Sequence, residues 1–239
     1  MPGKDSDQCS VNSGQLLLIT DHSSLLTLFY MPLLRLIIFA ALLIILSIVT
    51  IKRNHIWQND ISFWSDVAIK SPGLARPHNN MGNALISVER CDDAIPPLLL
   101  SIKADPLYIE PHSNIAMCYV KKGRFDDAIP KFEEVLRINA VLKKGHYGVQ
   151  AVLKLDLQAH SNLGNIYNIK GMTDKAIFHY KEALNINPKD TSTRFNLAMT
   201  YEAIGMLKEA MAEFDGVLKI DTADEGARRG VERLARLLH

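Results

Sequence analysis

The chain has 239 residues, of which 48% are apolar, so it can bury the core of one or two domains. Its 27 lysine and arginine residues nearly balance its 26 aspartate and glutamate residues, so the overall charge does not favour a nucleic-acid partner. The three cysteines, Cys9, Cys91 and Cys118, lack CxxC spacing, which argues against a zinc site and a disulfide framework. We expect them to be reduced and to fill small gaps in the core.

The first part of the chain is predicted to anchor it in a membrane. Residues 1–30 begin with a polar stretch without periodicity and are expected to form a disordered or interfacial segment. The run from Pro32 to Ile51 carries one charge, Arg35, and a helix over residues 32–51 spans about the 30 Å of a bilayer's hydrocarbon core. A transmembrane helix is therefore predicted over 31–53. A cleavable signal peptide fits less well, because the run is long, starts late and is not followed by a small-x-small cleavage site.

The charges that flank this run favour one orientation. Lys52 and Arg53 follow the run, whereas Lys4 is the one lysine or arginine that precedes it. By the positive-inside rule, the rest of the chain is expected on the cytoplasmic side of the membrane.

Residues 54–74 are predicted to form a linker helix that caps the repeats which follow it. Apolar residues recur at helical spacing from Asn54 to Ser71, and Pro72 and Gly73 end the pattern. Pro72 falls where a repeat would end, so the segment corresponds to the second helix of a half-repeat. A stack of repeats needs such a cap because its terminal unit has no neighbour to cover its apolar face.

A pattern of 34 residues recurs through the remaining chain, with a small residue at its eighth position and alanine at its twentieth. The complete copies are predicted at 75–108, 109–142, 157–190 and 191–224, and their eighth residues are Gly82, Ala116, Gly164 and Ala198. The segment 143–156 does not fit the period and is expected to be an eroded copy that retains one helix. Residues 225–239 are predicted to form an amphipathic capping helix.

Helix pairs with this period and these small residues are typical of tetratricopeptide repeats (TPRs). The sequence resembles TPR proteins, which implies an all-α fold: a superhelix, or solenoid, of α–α pairs preceded by the transmembrane helix. In each pair, the second helix is expected to begin at an acidic cap such as Asp92, Asp126 or Asp174.

The sequence contains no known catalytic motif, such as a nucleophile elbow or a phosphate loop, so we expect a protein without catalytic activity, cofactor or metal. His78, His112 and His160 occupy the fourth position of three repeats. On stacked helices they would lie about 10 Å apart, which is too far to share a metal ion with bonds of about 2 Å. We interpret them as packing residues.

Asparagine occupies the sixth position of every complete repeat, at Asn80, Asn114, Asn162 and Asn196. An amide both donates and accepts hydrogen bonds, so a row of asparagines can hold the backbone of an extended peptide. The alternative is that each amide binds its own neighbouring helices. Further positions predicted to line the same groove include Asn83, Met117, Asn165, Asn168 and Met199.

Two resemblances extend the interpretation. The motif from His160 to Asn165 is similar to the repeats of O-GlcNAc transferase, which implies that the sixth-position asparagines line an inner groove and hold peptide backbone. The junction, at 53–57, 63–66, 70–72 and 75–80, is similar to the passage after the last membrane helix of bacterial multi-spanning proteins with C-terminal TPRs.

Those bacterial proteins are related to the transmembrane-and-TPR O-mannosyltransferases. The resemblance implies that this chain is the tail of such an architecture, either as a fragment or as a stand-alone adaptor. It also implies that the repeats lie on the extracytoplasmic side, opposite to the side that the flanking charges favour.

The sequence therefore predicts a single-pass membrane protein whose repeats bind a protein or extended peptide in a concave groove. It is predicted to be a non-catalytic scaffold with no nucleic-acid partner. The alternative is the substrate-presenting C-terminal part of a GT-C membrane glycosyltransferase, which lacks its own catalytic domain and needs a membrane-embedded glycosyltransferase as partner.

Overall fold

The backbone in the computed structural model is described for residues 22–144 and 149–238, which form eleven α-helices and no β-strand. These residues agree with the predicted all-α fold class. The chain divides into two units, Met1–His55 and Ile56–His239.

The first unit contains one long helix, α1 (His22–Ile56), of 35 residues. It starts before the predicted residue 31, so part of the segment predicted to be disordered or interfacial is helical; residues 1–21 lie outside the described residues. Its portion Leu33–Ile56 has 24 residues and contains an 18-residue window with a mean hydropathy of 2.8 and no buried residue. By length and composition this portion can cross a membrane, and a signal sequence has the same properties.

The second unit contains ten described helices, each packed against its chain neighbours within this unit. They are α2 (Asp60–Lys70), α3 (Ala75–Ser87), α4 (Cys91–Ala104), α5 (Ile109–Lys121), α6 (Phe125–Lys144), α7 (Val149–Ile169), α8 (Thr173–Ile186), α9 (Thr191–Ala203), α10 (Leu207–Ile220) and α11 (Glu225–Leu238). The pairs α3–α4, α5–α6, α7–α8 and α9–α10 form four helical hairpins. Each first helix also contacts the first helix of the next hairpin, whereas the described second helices have no comparable contact with one another. The stack therefore curves, with the first helices on its inner side.

A small residue in the first helix of each hairpin makes room for a large side chain in the second helix. The large residues, sixteen positions later, are at most 1% exposed: Leu98, Phe132, Tyr180 and Phe214. A Cβ atom on Gly82 would lie 2.5 Å from Leu98, and one on Gly164 would lie 2.5 Å from Tyr180. The two glycines are therefore required by the close packing of their helices.

Two of the cysteines are buried and free: Cys91 and Cys118. Burial raises the pKa of Cys118 to about 12, so this side chain is a neutral thiol. Cys9 lies outside the described residues.

The segment 54–74 does not form the single continuous linker helix that the sequence predicts. Helix α1 continues to Ile56, and α2 begins only at Asp60. The new start is set by Asn59, whose side-chain oxygen accepts a hydrogen bond from the Ser62 backbone N–H at 2.9 Å. This N-cap satisfies a backbone donor that would otherwise be free at the start of the helix. Helix α2 packs against α3, at the N-terminal edge of the repeats.

The eroded repeat predicted at 143–156 does not form a hairpin of its own. Its residues instead lengthen two helices of the neighbouring repeats, α6 to 20 residues and α7 to 21 residues, and residues 145–148 lie outside the described part of the chain. Asn139 and Asp156, which are 0% and 4% exposed, join the lengthened helices through a 2.6 Å hydrogen bond from Asn139 Nδ2 to Asp156 Oδ1. The same Asn139 Nδ2 also donates to the Val152 carbonyl oxygen at 3.2 Å.

The acidic caps predicted for the second helices are also placed differently. The N-cap residue of α4 is Arg90 and that of α8 is Met172, so Asp92 and Asp174 lie inside the first turn. There a carboxylate complements the positive end of the helix dipole without capping a backbone N–H. Asp92 accepts a hydrogen bond from Lys122 of the next repeat, and Asp126 accepts one from Lys170.

The turns between the paired helices require a left-handed residue. Gly123, Gly171 and Gly205 have φ values of 69°, 70° and 78°, and in the first repeat Glu89 occupies this position with a φ of 62°. This conformation costs a residue with a side chain about 1–2 kcal/mol and costs glycine almost nothing. The first hairpin therefore carries a strain that the other three lack.

Replacing Glu89 by glycine is expected to raise the free energy of unfolding by about 1 kcal/mol. Glycine removes the steric cost of a side chain on a left-handed backbone. This gain in free energy exceeds the free-energy cost of the extra conformational entropy that glycine gives the unfolded chain. Urea unfolding of the full-length protein in detergent micelles, followed by circular dichroism, measures the change. As a matched control, Gly171→Ala should lower the midpoint. An unchanged or lowered midpoint for Glu89→Gly would show that the turn is not strained.

Candidate functional site

The inner side of the stack carries the asparagines predicted at the sixth position of each repeat. Asn80 lies on α3, Asn114 on α5, Asn162 on α7 and Asn196 on α9, and all four are half-buried. They do not form one uniform row, because their amides have different partners in the two halves of the stack.

In the second repeat the sixth-position amide, that of Asn114, binds two amides of the first repeat. Asn114 Nδ2 donates to Asn79 Oδ1 at 3.0 Å and to Asn83 Oδ1 at 2.6 Å. Asn79 is 2% exposed, and its own Nδ2 donates to the Tyr108 hydroxyl at 3.2 Å. Both N–H groups of Asn114 are therefore satisfied inside the protein.

In the third and fourth repeats the amides have different partners. Asn165 Oδ1 accepts hydrogen bonds from Asn196 Nδ2 at 2.9 Å and from the Tyr180 hydroxyl at 2.8 Å. Burial raises the pKa of Tyr180 to about 12, so its hydroxyl keeps the proton that it donates. Asn162 Nδ2 donates to the Gln158 carbonyl oxygen at 2.9 Å. In the described part of the chain, Asn165 Nδ2 and Asn162 Oδ1 have no hydrogen-bond partner.

A cavity of about 420 Å³ lies beside these amides on the inner side. Five of the nine predicted groove residues line it: Asn162, Asn165, Asn168, Asn196 and Met199. The other lining residues are Val120, Phe125, Ile166, Ile169 and Tyr180, which sequence reasoning did not identify because they come from four helices. Asn80, Asn83, Asn114 and Met117, the other predicted groove residues, do not line this cavity.

The histidines predicted to be packing residues have three different environments. His78 is buried, and its Nε2 lies 3.0 Å from the Pro72 carbonyl oxygen. His112 is also buried, and burial lowers its pKa, so its ring is neutral at pH 7. His160 Nδ1 lies 2.9 Å from Nδ1 of His179 on α8, a partner that the repeat pattern did not reveal.

Comparison with known proteins identifies the repeats. Family models described as "Tetratricopeptide repeat" match residues 157–190, 179–212 and 112–140. The chain contains tetratricopeptide repeats. These matches confirm the resemblance predicted from the 34-residue period. A separate comparison with curated proteins found no match to the sequence.

Solved structures show the same TPR fold. A structure of YrrB, described as "a TPR protein with an unusual peptide-binding site", has a TM-score of 0.59 and 21% identity, and the match covers 73% of this chain and 83% of that one. A structure of MamA has a TM-score of 0.58 and 21% identity, covering 68% and 86%. MamA 41-end from Desulfovibrio magneticus RS-1 has a TM-score of 0.58 and 17% identity, covering 78% and 97%. The TPR solenoid predicted from the sequence is confirmed, whereas the resemblances to O-GlcNAc transferase and to the O-mannosyltransferases stay predictions.

The histidine pair in the third TPR predicts a pH dependence. Burial, with His160 and Lys175 nearby, lowers the pKa of His179 to about 4. Between about pH 6.5 and pH 4 the unfolded chain binds a proton on His179 that the folded chain does not bind. The contribution of neutral His179 to stability should therefore be complete above pH 6.5 and be lost as the pH falls toward 4.

An NMR titration of the imidazole Cε1–H signals measures this pKa directly, with His179→Gln used to assign the signal. The same substitution should flatten the dependence of the unfolding midpoint on pH between 6.5 and 4. A pKa of His179 at or above 6.5 would contradict the buried pairing with His160.

Proposed function

We propose that this protein is a membrane-anchored TPR scaffold that binds a segment of another protein on its inner side and is not itself catalytic. The observation that carries the proposal is the cavity on the inner side, where amide groups that keep an unbonded donor or acceptor stand next to exposed apolar side chains. Ile169 and Met199 at this cavity are 64% and 43% exposed. Available amide donors and acceptors beside exposed apolar groups at one concave site are the features of a binding site rather than of a core.

A protein segment fits this site better than a small charged ligand does. None of the described lining residues is charged, so an ionic ligand would lose its hydration without gaining a partner. A peptide offers both backbone groups for the amides and side chains for the apolar wall. The description of YrrB as a TPR protein with a peptide-binding site supports the same class of partner.

Helix α1 supports the membrane anchor. The portion Leu33–Ile56 has 24 residues, which gives a length of about 36 Å against a hydrocarbon core of about 30 Å. Its large apolar side chains are exposed on every side, for example Leu36 at 63%, Phe39 at 59% and Ile51 at 68%. A helix without a polar face is suited to the bilayer core, where all of its surface is covered by lipid.

The alternative function rests on the junction between α1 and the repeats. Its residues resemble the corresponding passage of transmembrane-and-TPR glycosyltransferases, and here their aromatic rings pack edge to face, with 4.9 Å between the centroids of Phe63 and Trp64. In that case the TPRs would present substrate to a separate membrane-embedded enzyme. A neighbouring reading frame that encodes many apolar spans would favour this alternative, and so would co-purification of its product.

The membrane anchor is tested by cell fractionation. The protein is expected in the membrane fraction and should resist extraction with alkaline carbonate. Each arginine at the centre of a membrane helix opposes insertion by about 2.5–3.5 kcal/mol, so a variant with both Ile44→Arg and Ile45→Arg should move to the soluble fraction. Ile44→Leu with Ile45→Leu is the matched control and should stay with the membrane. Release of the parent protein by carbonate, or a mature N-terminus beyond α1, would contradict the anchor.

Peptide binding is tested with a phage-displayed library of random nonapeptides. The library is panned against the full-length protein in detergent micelles, with empty micelles as control. We expect enrichment of peptides whose fluorescein-labelled copies bind with a saturable rise in anisotropy. Failure to enrich any peptide beyond the empty-micelle control would contradict the proposed function.

A further inference from the structure

We propose that the inner side binds its partner at the third and fourth TPRs, and that the partner there is an extended peptide segment with one uncharged aliphatic side chain. This inference rests on the proposed peptide-binding function and specifies where it occurs and what it selects. Four features of the inner side lead to it.

The first feature is that both N–H groups of Asn114, in the second repeat, are already bonded. A peptide that used these N–H groups would first have to break their bonds to Asn79 and Asn83, at 3.0 Å and 2.6 Å. Exchanging one hydrogen bond for another yields almost no net free energy. The N–H groups of Asn114 are therefore part of the internal packing, and they add little to the binding of a peptide.

The second feature is the fifth position, which determines whether the sixth-position amide of the next repeat has a second acceptor. In the first repeat this position is Asn79, which accepts from Asn114 of the next repeat. In the third repeat it is Ser161, whose shorter side chain bonds instead to the Thr193 hydroxyl at 2.7 Å. Among the described residues, the Asn196 amide consequently has Asn165 as its one hydrogen-bond partner. This residue difference thus leaves one N–H group of Asn196 available to a ligand.

The third feature is the fixed orientation of two open amides. Tyr180 and Asn196 both donate to Asn165 Oδ1, so Asn165 Nδ2 is left as a donor. The bond from Asn162 Nδ2 to the Gln158 carbonyl leaves Asn162 Oδ1 as an acceptor. Residues three apart on a helix have Cβ atoms about 5–6 Å apart. This donor and this acceptor match the C=O and N–H groups that an extended chain presents along one edge.

The fourth feature is the apolar wall beside these two groups. Val120, Phe125 and Ile166 form part of it, and the exposed Ile169 and Met199 complete it. Covering exposed apolar surface contributes about 25 cal/mol for each Å². A charged side chain would lose its hydration here without finding an opposite charge. The cavity of about 420 Å³ therefore selects a leucine, isoleucine or methionine side chain.

The experiment uses a fluorescein-labelled peptide enriched by panning, measured by anisotropy on the full-length protein in detergent micelles. Asn162→Ala should weaken binding about fivefold, the effect of losing one hydrogen bond of about 1 kcal/mol. Met199→Glu should weaken it more than about tenfold, because a carboxylate replaces part of the apolar wall. Met199→Leu is its matched control and should bind as the parent does. Asn114→Ala, which changes the same column in the second repeat, where both amide N–H groups are bonded internally, should leave the affinity within about twofold of the parent.

The peptide gives an independent test. The enriched sequences should share one leucine, isoleucine or methionine, and its replacement by lysine should weaken binding at least about tenfold. Circular dichroism before each titration confirms that a variant is folded, and Met199→Leu and Asn114→Ala show whether a loss is local.

If Asn114→Ala weakens binding as much as Asn162→Ala does, or if the enriched peptides share a charged residue instead, this inference is overturned while the proposed function stands. If no peptide is enriched, the proposed function fails and the inference fails with it.

Discussion

The contact between Gly164 on α7 and Tyr180 on α8 is the interaction on which the site depends. A Cβ atom on Gly164 would lie 2.5 Å from the tyrosine ring, so the two helices approach this closely only because the residue is glycine. The approach lets the Tyr180 hydroxyl donate to Asn165, the residue after the glycine, at 2.8 Å. In the other repeats the residue at the Tyr180 position is Leu98, Phe132 or Phe214, none of which has a hydroxyl group. The packing of the third hairpin thus fixes an amide on the inner side.

The same packing rule, repeated along the chain, produces the curved stack. Small residues in the first helices let each hairpin close, and the first helices then contact one another along the inner side. Because the side-chain positions repeat with the hairpin, a residue type that recurs every 34 residues forms a column on that side. The sixth-position asparagines are such a column, but the fifth-position residues decide which of their amides stay accessible.

The sequence allowed the hairpins and the inner column to be predicted, because both follow from a local period. The partners of the amides were not predictable in this way. Asn114 bonds to residues 35 and 31 positions earlier in the chain, and which of them it reaches depends on how the two helices are aligned. The open Asn165 amide depends in turn on a hydroxyl from a different helix. A row of asparagines in the sequence therefore indicated the surface on which these amides lie, but not the partners of each amide.

The irregular segment before the third repeat shows why spacing alone was insufficient there. The repeat pattern predicted a separate helix, whereas a longer α6 and α7 pack through the buried Asn139 and Asp156. In the first and fourth repeats the fourth-position residue binds the carbonyl oxygen of a proline six residues earlier, as His78 does with Pro72 and Arg194 does with Pro188. In the third repeat that earlier residue is Lys154 within α7, and His160 pairs with His179 instead. Such substitutions of one partner for another arise from tertiary packing, which a single sequence does not specify.

The central claim is that the inner side of the third and fourth repeats is the binding site of the TPR solenoid. Amide hydrogen exchange of the full-length protein in micelles, with and without an enriched peptide, tests it most directly. The account predicts slower exchange on peptide binding in α7, in α9 and at the C-terminal end of α5, with α3 unchanged. Protection centred on α3, or on the outer helices α4 and α10, would contradict it.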